Sequence, residues 1–233
     1  MRKVLKIMKL MPISVMIVVV LLLGFQSTSH ALTLSFYDFV NPVFFVEDGS
    51  AKDSSPLAGV VTFNGTIGDW IVNVTTGVSK PVLGSAASPE IDLNSLNVTS
   101  SSGGHLQFGM VDSGFTGPTA GTFILAVGGT TQGSVSFSAF KDESNSETFG
   151  GSTFATSGPF STASWNATTS GPFNAATAPF SLGLMAEITH AGKAATSFDG
   201  NLQVVPIPPT AILLGSGLLG LVGLGWRRAR KEG

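Results

Sequence analysis

The chain of 233 residues contains no cysteine. That absence excludes disulfides, cysteine-ligated zinc or iron–sulfur centres, and thiol nucleophiles. It leaves the compartment open, because a chain of this length can bury enough apolar surface to fold without covalent staples. Charge is also scarce, at 11% of residues, and unevenly placed. Residues 32–205 hold no arginine and only four lysines, Lys52, Lys80, Lys141 and Lys193, against 13 acids, a net charge of −9. Such a segment repels polyanions, so nucleic acid is not expected as a partner. The same segment has no G-x-S-x-G elbow, and His105 and His190 have no H-x-H or H-E-x-x-H companion. Neither a serine hydrolase nor a helix-borne zinc site is signalled, and a metal site using both histidines would have to be assembled by the fold.

The cations sit at the two ends. Residues 1–31 carry Arg2, Lys3, Lys6 and Lys9 with no acid, then an apolar run from Ile13 to Leu23, then a polar stretch closing on Ser29-His30-Ala31. This is the three-part plan of a secretory signal peptide, and the small side chains of Ser29 and Ala31 set cleavage before Leu32. The alternative, an uncleaved membrane anchor, is opposed by the shortness of the apolar run.

At the other end, Pro206, Pro208 and Pro209 cannot occupy a helix interior, which predicts an extended, exposed, protease-accessible linker before Thr210. Thr210 to Trp226 gives 17 residues without a charge, a helix of roughly 25 Å and a short but workable membrane span. Trp226 would lie at the interface, with Arg227, Arg228, Arg230 and Lys231 held on the cytoplasmic side. The mature N-terminus is then outside, as the signal peptide also requires. Five glycines, at 215, 217, 220, 223 and 225, thin this helix. The Ser216/Gly220 pair fits either a helix–helix contact or simply a glycine-rich span.

The order Val205-Pro206-Ile207-Pro208, then LLGSGLLGLVGLG, then RRARK at the end closely resembles the PEP-CTERM sorting signal of exopolysaccharide-producing Gram-negative bacteria. That resemblance implies an exosortase partner, an integral-membrane cysteine transpeptidase that recognises the tail, cuts near the proline motif and passes the protein to the surface. It also implies co-function with exopolysaccharide and biofilm. Ile207 stands where the glutamate of Pro-Glu-Pro is usual, which leaves the exosortase subtype and the cut site open. No LPxTG-like sortase motif is present, and a GPI signal ends in apolar rather than basic residues.

Between the two addresses, residues 32–205 are rich in Ser, Thr, Gly, Val and Phe, and short alternating runs are separated by Gly, Pro and Asn/Asp turns. Leu32–Phe36, Val60–Phe63, Trp70–Val74, Ile91–Val98 and Val135–Ser138 alternate, while Phe123–Val127 and Leu182–Ile188 read as more buried strands. No segment shows a capped 3.6-residue period. The expectation is an all-β domain of about nine or ten strands, an antiparallel β-sandwich of jelly-roll-like form. Thr156–Phe160 (TSGPF) recurs at Thr169–Phe173, with a fainter echo at Ala178-Pro179-Phe180. The echo reads as a two-copy, hairpin-like repetition of turn plus strand, and residues 142–180, the most Ser/Thr/Gly/Ala-rich stretch, offer a long mobile loop as the alternative.

Candidate sites are sparse. Glu47, Asp48 and Asp53 gather around Gly49 in a pattern able to ligate calcium, against the reading of an ordinary solvated turn. Asp142, Glu143 and Glu147 form a second acidic run. A glycan hydrolase needs two facing carboxylates, and 13 acids offer many pairs without singling one out. Trp70 and Trp165 are the tryptophans able to stack on a sugar; Trp70, in an alternating strand, reads as core, which leaves Trp165 as the glycan-binding candidate. Four N-x-T sequons start at Asn64, Asn73, Asn97 and Asn166. The reading is a non-enzymatic, exported surface or matrix protein with a structural or adhesive role; a carbohydrate-binding module and a secreted hydrolase are its rivals. Mass spectrometry of the mature protein is expected to find Leu32 at its N-terminus and a C-terminus near Pro206–Pro208; retention of both Met1 and Gly233 overturns the topology.

Overall fold

Period-two alternation puts one side of each strand into a core, and the computed structural model shows how those sides meet. It describes residues 32–207 and, beyond them, residues 213, 214, 216 and 219. Twelve strands form: β1 (Thr33–Tyr37), β2 (Phe44–Glu47), β3 (Val60–Ile67), β4 (Trp70–Val78), β5 (Glu90–Ser100), β6 (Gly104–Phe115), β7 (Ala120–Thr131), β8 (Ser134–Asp142), β9 (Ser152–Phe160), β10 (Ser164–Asn174), β11 (Phe180–His190) and β12 (Ala194–Pro206). They pair antiparallel in two six-stranded sheets. Sheet A has the order β2-β1-β6-β11-β8-β9, and sheet B the order β10-β7-β12-β5-β4-β3.

Strands β5 to β12 are one double ribbon folded over itself. The hairpin pair β8·β9 is followed outward by β7·β10, β6·β11 and β5·β12. Wrapping that ribbon brings β12 beside β7 and β11 beside β8, which is the jelly-roll arrangement. The hairpins β1–β2 and β3–β4 widen sheets A and B respectively.

Aromatic rings join the two sheets. Phe44, Phe63, Phe36, Phe108, Phe198, Phe137, Trp165 and Phe160 form an unbroken series with centroids 4.5–6.4 Å apart. It crosses from the β2/β3 edge to the β9/β10 edge and passes repeatedly from one sheet to the other. A second series links Phe115, Phe180, Phe173, Phe154 and Phe123. Burying one such ring contributes about 2–3 kcal/mol, and each well-placed pair adds about 0.5–1.5 kcal/mol.

The outer faces of the sheets differ. On sheet A, Phe140 lies over Gly183 and Phe149 over Gly109, where a Cβ would come within 2.1 Å and 2.2 Å of the rings. The two phenylalanines pack at 5.6 Å and roof the sheet. The segment carrying Phe149 is pinned: Asn145 Oδ1 accepts from Gly114 N, Ser113 Oγ donates to Glu147, and Ser181 Oγ donates to the carbonyl of Ser146. Sheet B has no such cover among the described residues.

Several expectations are corrected. Twelve strands replace nine or ten, and residues 142–180 hold β9 and β10 instead of a long mobile loop. The two TSGPF copies end β9 and β10, on opposite sheets. The proline-rich linker starts later than predicted, because Val205 and Pro206 still pair with Thr122 and Gly121 of β7. Pro206 is tolerated because pairing with β5 has ended at Gln203, so β12 is an edge strand there. The signal peptide of residues 1–31 lies outside the described residues, as does most of the 210–226 helix. Of that helix, Leu213, Leu214, Ser216 and Leu219 are helical and exposed, and no helix among the described residues is long and apolar enough to cross a membrane.

Trp165 is 9% exposed, stacks on Phe160 at 4.5 Å and 5°, and leaves its indole N–H buried without a partner. Trp165→Ala is therefore expected to cost about 3–5 kcal/mol. Trp165→Phe should stay within about 1 kcal/mol of the parent, because removing an unsatisfied buried donor offsets the lost ring area; denaturant unfolding of both variants checks this.

Candidate functional site

In a strand, residues two apart share a face, so the triplets starting at Asn64, Asn97 and Asn166 point their Asn and Thr the same way. All four sequons fall on sheet B, in β3, β4, β5 and β10. The register sets three of the asparagines side by side, Asn64 opposite Asn73 and Asn73 opposite Asn97. The row continues through Ser197 of β12 and Thr130 of β7 to Ser164 of β10. An unbroken line of short amides and hydroxyls thus crosses all six strands on the open face. A second row, Thr66, Ile71, Thr99 and Ala195, runs beside it.

The second row, with Asn97, Ser197 and Thr130 of the first, lines an open groove, and Asn64 and Asn73 extend the first row beyond it. One part, about 700 Å³, is lined by Thr66, Asp69, Ile71, Thr99, Lys193 and Ala195 among others. A further 380 Å³ or so continues over Asn97, Thr130, Gln132 and Ser197. Side chains here are held in place: Ser197 Oγ donates to Asn97 Oδ1 at 2.6 Å, Asn97 Nδ2 donates to Ser95 Oγ at 2.9 Å, and Gln132 Oε1 accepts from Ala195 N at 2.9 Å. Ile71 is 60% exposed and gives the groove an apolar island.

Beneath this floor lies a buried polar network. His190 Nδ1 shares a hydrogen bond with Ser100 Oγ at 2.7 Å, and His190 Nε2 shares one with Thr196 Oγ1 at 2.8 Å. Thr196 in turn meets Thr131 at 2.7 Å. The imidazole packs against Trp70 at 4.7 Å. Both ring nitrogens are engaged, and burial pushes the His190 pKa below its ordinary value. The network ties β5, β7, β11 and β12 together under the groove.

The residues singled out in the sequence are placed as follows. Asp48 Oδ2 accepts from Gly59 N at 2.5 Å, Asp53 Oδ2 from Gly49 N at 3.1 Å, and Asp53 Oδ1 from the amides of Ser55 and Thr62. Glu47 lies exposed in β2. These carboxylates satisfy backbone donors of the loop, and no group of three or more His, Asp or Glu among the described residues is arranged to hold a metal ion. Glu47, Asp48 and Asp53, the three acids read as a calcium set in the sequence, are not brought together as such a group. Trp165 is a core residue, not an exposed glycan platform, and Trp70 is 2% exposed. In the second acidic run, Glu143 pairs with Lys141 at 2.5 Å and Glu147 meets Ser113, so the acids are pulled apart. His105 is exposed while His190 is buried. Glu90 and Asp92 share Asn201 Nδ2 at 3.0 and 3.2 Å. Burial, with the charges of Glu90 and Asp199, holds the Asp92 carboxyl above its ordinary value.

The architecture is a two-sheet antiparallel sandwich. No protein-family model matches the chain, and no curated protein matches it. Among solved structures, the chain is similar to TmCBM61 in complex with β-1,4-galactotriose, at 12% identity over 59% of this chain and 90% of that one, TM-score 0.31. It is also similar to the K1 cleaved adhesin domain of Lys-gingipain from Porphyromonas gingivalis W83, at 10% identity, 68% and 96% coverage, TM-score 0.35. A CBM4 structure matches at 16% identity, 57% and 89% coverage, TM-score 0.29.

The buried histidine has a pH signature. The unfolded chain takes up a proton near pH 6.5, whereas the folded chain resists it until lower pH. Stability is therefore expected to fall as pH drops below about 6.5, the loss being complete below the folded-state pKa. His190→Gln should flatten this slope in urea titrations between about pH 7.5 and 5.5. Asp48 and Asp92, raised mainly by burial, act in the opposite direction, above the ordinary carboxylate range.

Proposed function

We propose that this chain is an exported, surface-delivered binding protein whose sheet B groove holds a neutral polysaccharide. The carrying observation is the in-register row Asn64, Asn73, Asn97, Ser197, Thr130 on the outer face of sheet B, which has no cover among the described residues. Amides and hydroxyls donate and accept in the same way as sugar hydroxyls, and strand spacing of about 4.8 Å repeats them at close to the pitch of a pyranose chain. The groove lining contains one lysine and one aspartate, which suits an uncharged ligand better than a polyanion. A rigid sheet holding prepaired side chains lowers the ordering cost of binding.

Delivery rests on the two terminal segments. The signal peptide brings the chain to the Sec machinery and signal peptidase; the apolar tail with Arg227, Arg228 and Arg230 holds it in the inner membrane. The PEP-CTERM resemblance then hands it to an exosortase. In this reading the protein acts on exopolysaccharide by adhesion, without catalysis. The carboxylates Glu90 and Asp92 lie side by side on one strand, whereas glycoside hydrolysis needs two across a cleft.

Affinity electrophoresis and calorimetry of the full chain against neutral polysaccharides test the groove. Asn97→Ala is expected to weaken binding by about three- to tenfold, the worth of one net hydrogen bond. Ile71→Asp should weaken it further. Absence of binding to any neutral polysaccharide, or unchanged affinity in both variants, removes the reading.

A further inference from the structure

A second cleft, of about 190 Å³, lies at the tip of the sandwich, on the far side of the β3–β4 turn from the groove. Gly68 and Asp69 of that turn line both. The remaining wall includes Asp38, Asn41, Trp70, Gly104 and His105.

Three features of this cleft bear on what it could hold. Phe39, on its rim, has a φ of 63°, a left-handed conformation costly for a bulky side chain. The ring is nevertheless 52% exposed. Asp38 enforces the turn, its Oδ1 accepting from Val40 N at 3.1 Å and Asn41 N at 2.7 Å, and its Oδ2 from Asn41 Nδ2 at 2.6 Å. Tyr37 at 4.6 Å and the edge of His105 at 6.1 Å fix where the ring stands. The chain thus accepts backbone strain in order to hold an aromatic ring out towards water.

The second feature is Trp70. It is 2% exposed, yet no group among the described residues accepts its indole N–H, which is not enclosed as that of Trp165 is. The third is Gly104, with φ of 115°, where a Cβ would lie 4.0 Å from Trp70 Nε1 and meet nothing nearer. Gly104 thus places no side chain over that donor, whereas at Gly103 a Cβ would meet the backbone of His190–Gly192.

The cleft therefore offers a donor at its floor, acceptors beside it and an apolar ring at its rim. Asp69 is exposed, and its Oδ2 accepts from Ser102 Oγ at 2.7 Å, which leaves Oδ1 for a ligand. His105 Nδ1 is shared with Thr189 at 3.0 Å, leaving Nε2. We infer that this cleft is a separate subsite for one sugar ring at the end of a glycan. The ring's C–H face lies on Phe39, and its hydroxyls meet Trp70 N–H, Asp69 and His105. The volume suits a single ring, and the shared turn lets a chain lying in the groove run into it. The ligand class rests on the carbohydrate reading of the groove; the site, its residues and its preference for an end do not.

Saturation-transfer NMR of the full chain with D-glucose, D-galactose, D-mannose and N-acetyl-D-glucosamine tests the assignment. At least one is expected to bind. Phe39→Ala, at an exposed position, and Trp70→Phe, which keeps an aromatic side chain but deletes the donor and whose folding is checked by circular dichroism, should each weaken it about tenfold. Asn97→Ala should leave monosaccharide affinity unchanged while lowering polysaccharide affinity. Binding by none of the four sugars, or undiminished binding in Phe39→Ala, overturns the subsite. Monosaccharide binding without any polysaccharide binding overturns the groove reading and leaves the subsite standing.

Discussion

The aromatic contact between the two sheets is the constraint on which the other features rest. A twelve-stranded sandwich with few charges and no cross-links has to be held by what lies between its layers. Here that is a row of rings from Phe44 to Phe160, supplied by both sheet A and sheet B. Because the rings interdigitate, strand register in one sheet is locked to register in the other, and a one-residue slip would turn Phe63 or Phe198 out to solvent. The Asn64–Asn73–Asn97 row is straight only because that register holds. The polar face is thus a consequence of the apolar one.

The two outer faces divide the labour. On sheet A, Gly109 and Gly183 provide a shelf on which Phe149 and Phe140 sit, and the segment bearing Phe149 is fastened by Asn145, Ser146 and Glu147. Sheet B carries Asn, Thr and Ser where sheet A carries glycine, so water or a hydroxylated ligand can lie on it. A further anchor, the pair Lys80–Asp112 at 2.7 Å, ties the segment after β4 to β6. Asp112 is 1% exposed and also accepts from Ser79 Oγ and Ser113 N. Such a charge is tolerated only because every partner is present.

Alternation made β1, β3, β4, β5, β7, β8 and β11 legible in the sequence, and with them the sandwich. The strands that were not legible fail for identifiable reasons. In β6, residues 108–113 are buried on both faces because Phe149 covers the outside, so the period-two signal is erased. In β9 and β10, Ser, Thr, Gly and Pro fill the outward positions and read as loop composition, although Phe154, Trp165 and Phe173 mark the inward ones. The sequons were visible, but spacing within a strand says nothing about which strands become neighbours; only register turned them into a row. Trp165 was misread because aromatic type does not report exposure. Phe39 was overlooked because nothing local shows that Asp38 will force it outward.

The course of β12 bears on how the chain would leave the membrane. Its last residues, Val205 and Pro206, pair with β7 alone, since β5 has already ended opposite Gln203. Ile207 is the first residue beyond the sheet and is 49% exposed. If the tail is processed as the sorting signal it resembles, a protease acting at Pro206 or earlier must peel the end of β12 from β7. One acting after Ile207 leaves the sheet whole. Because β12 runs through the middle of the face that carries the groove, the second course keeps the binding surface intact through release.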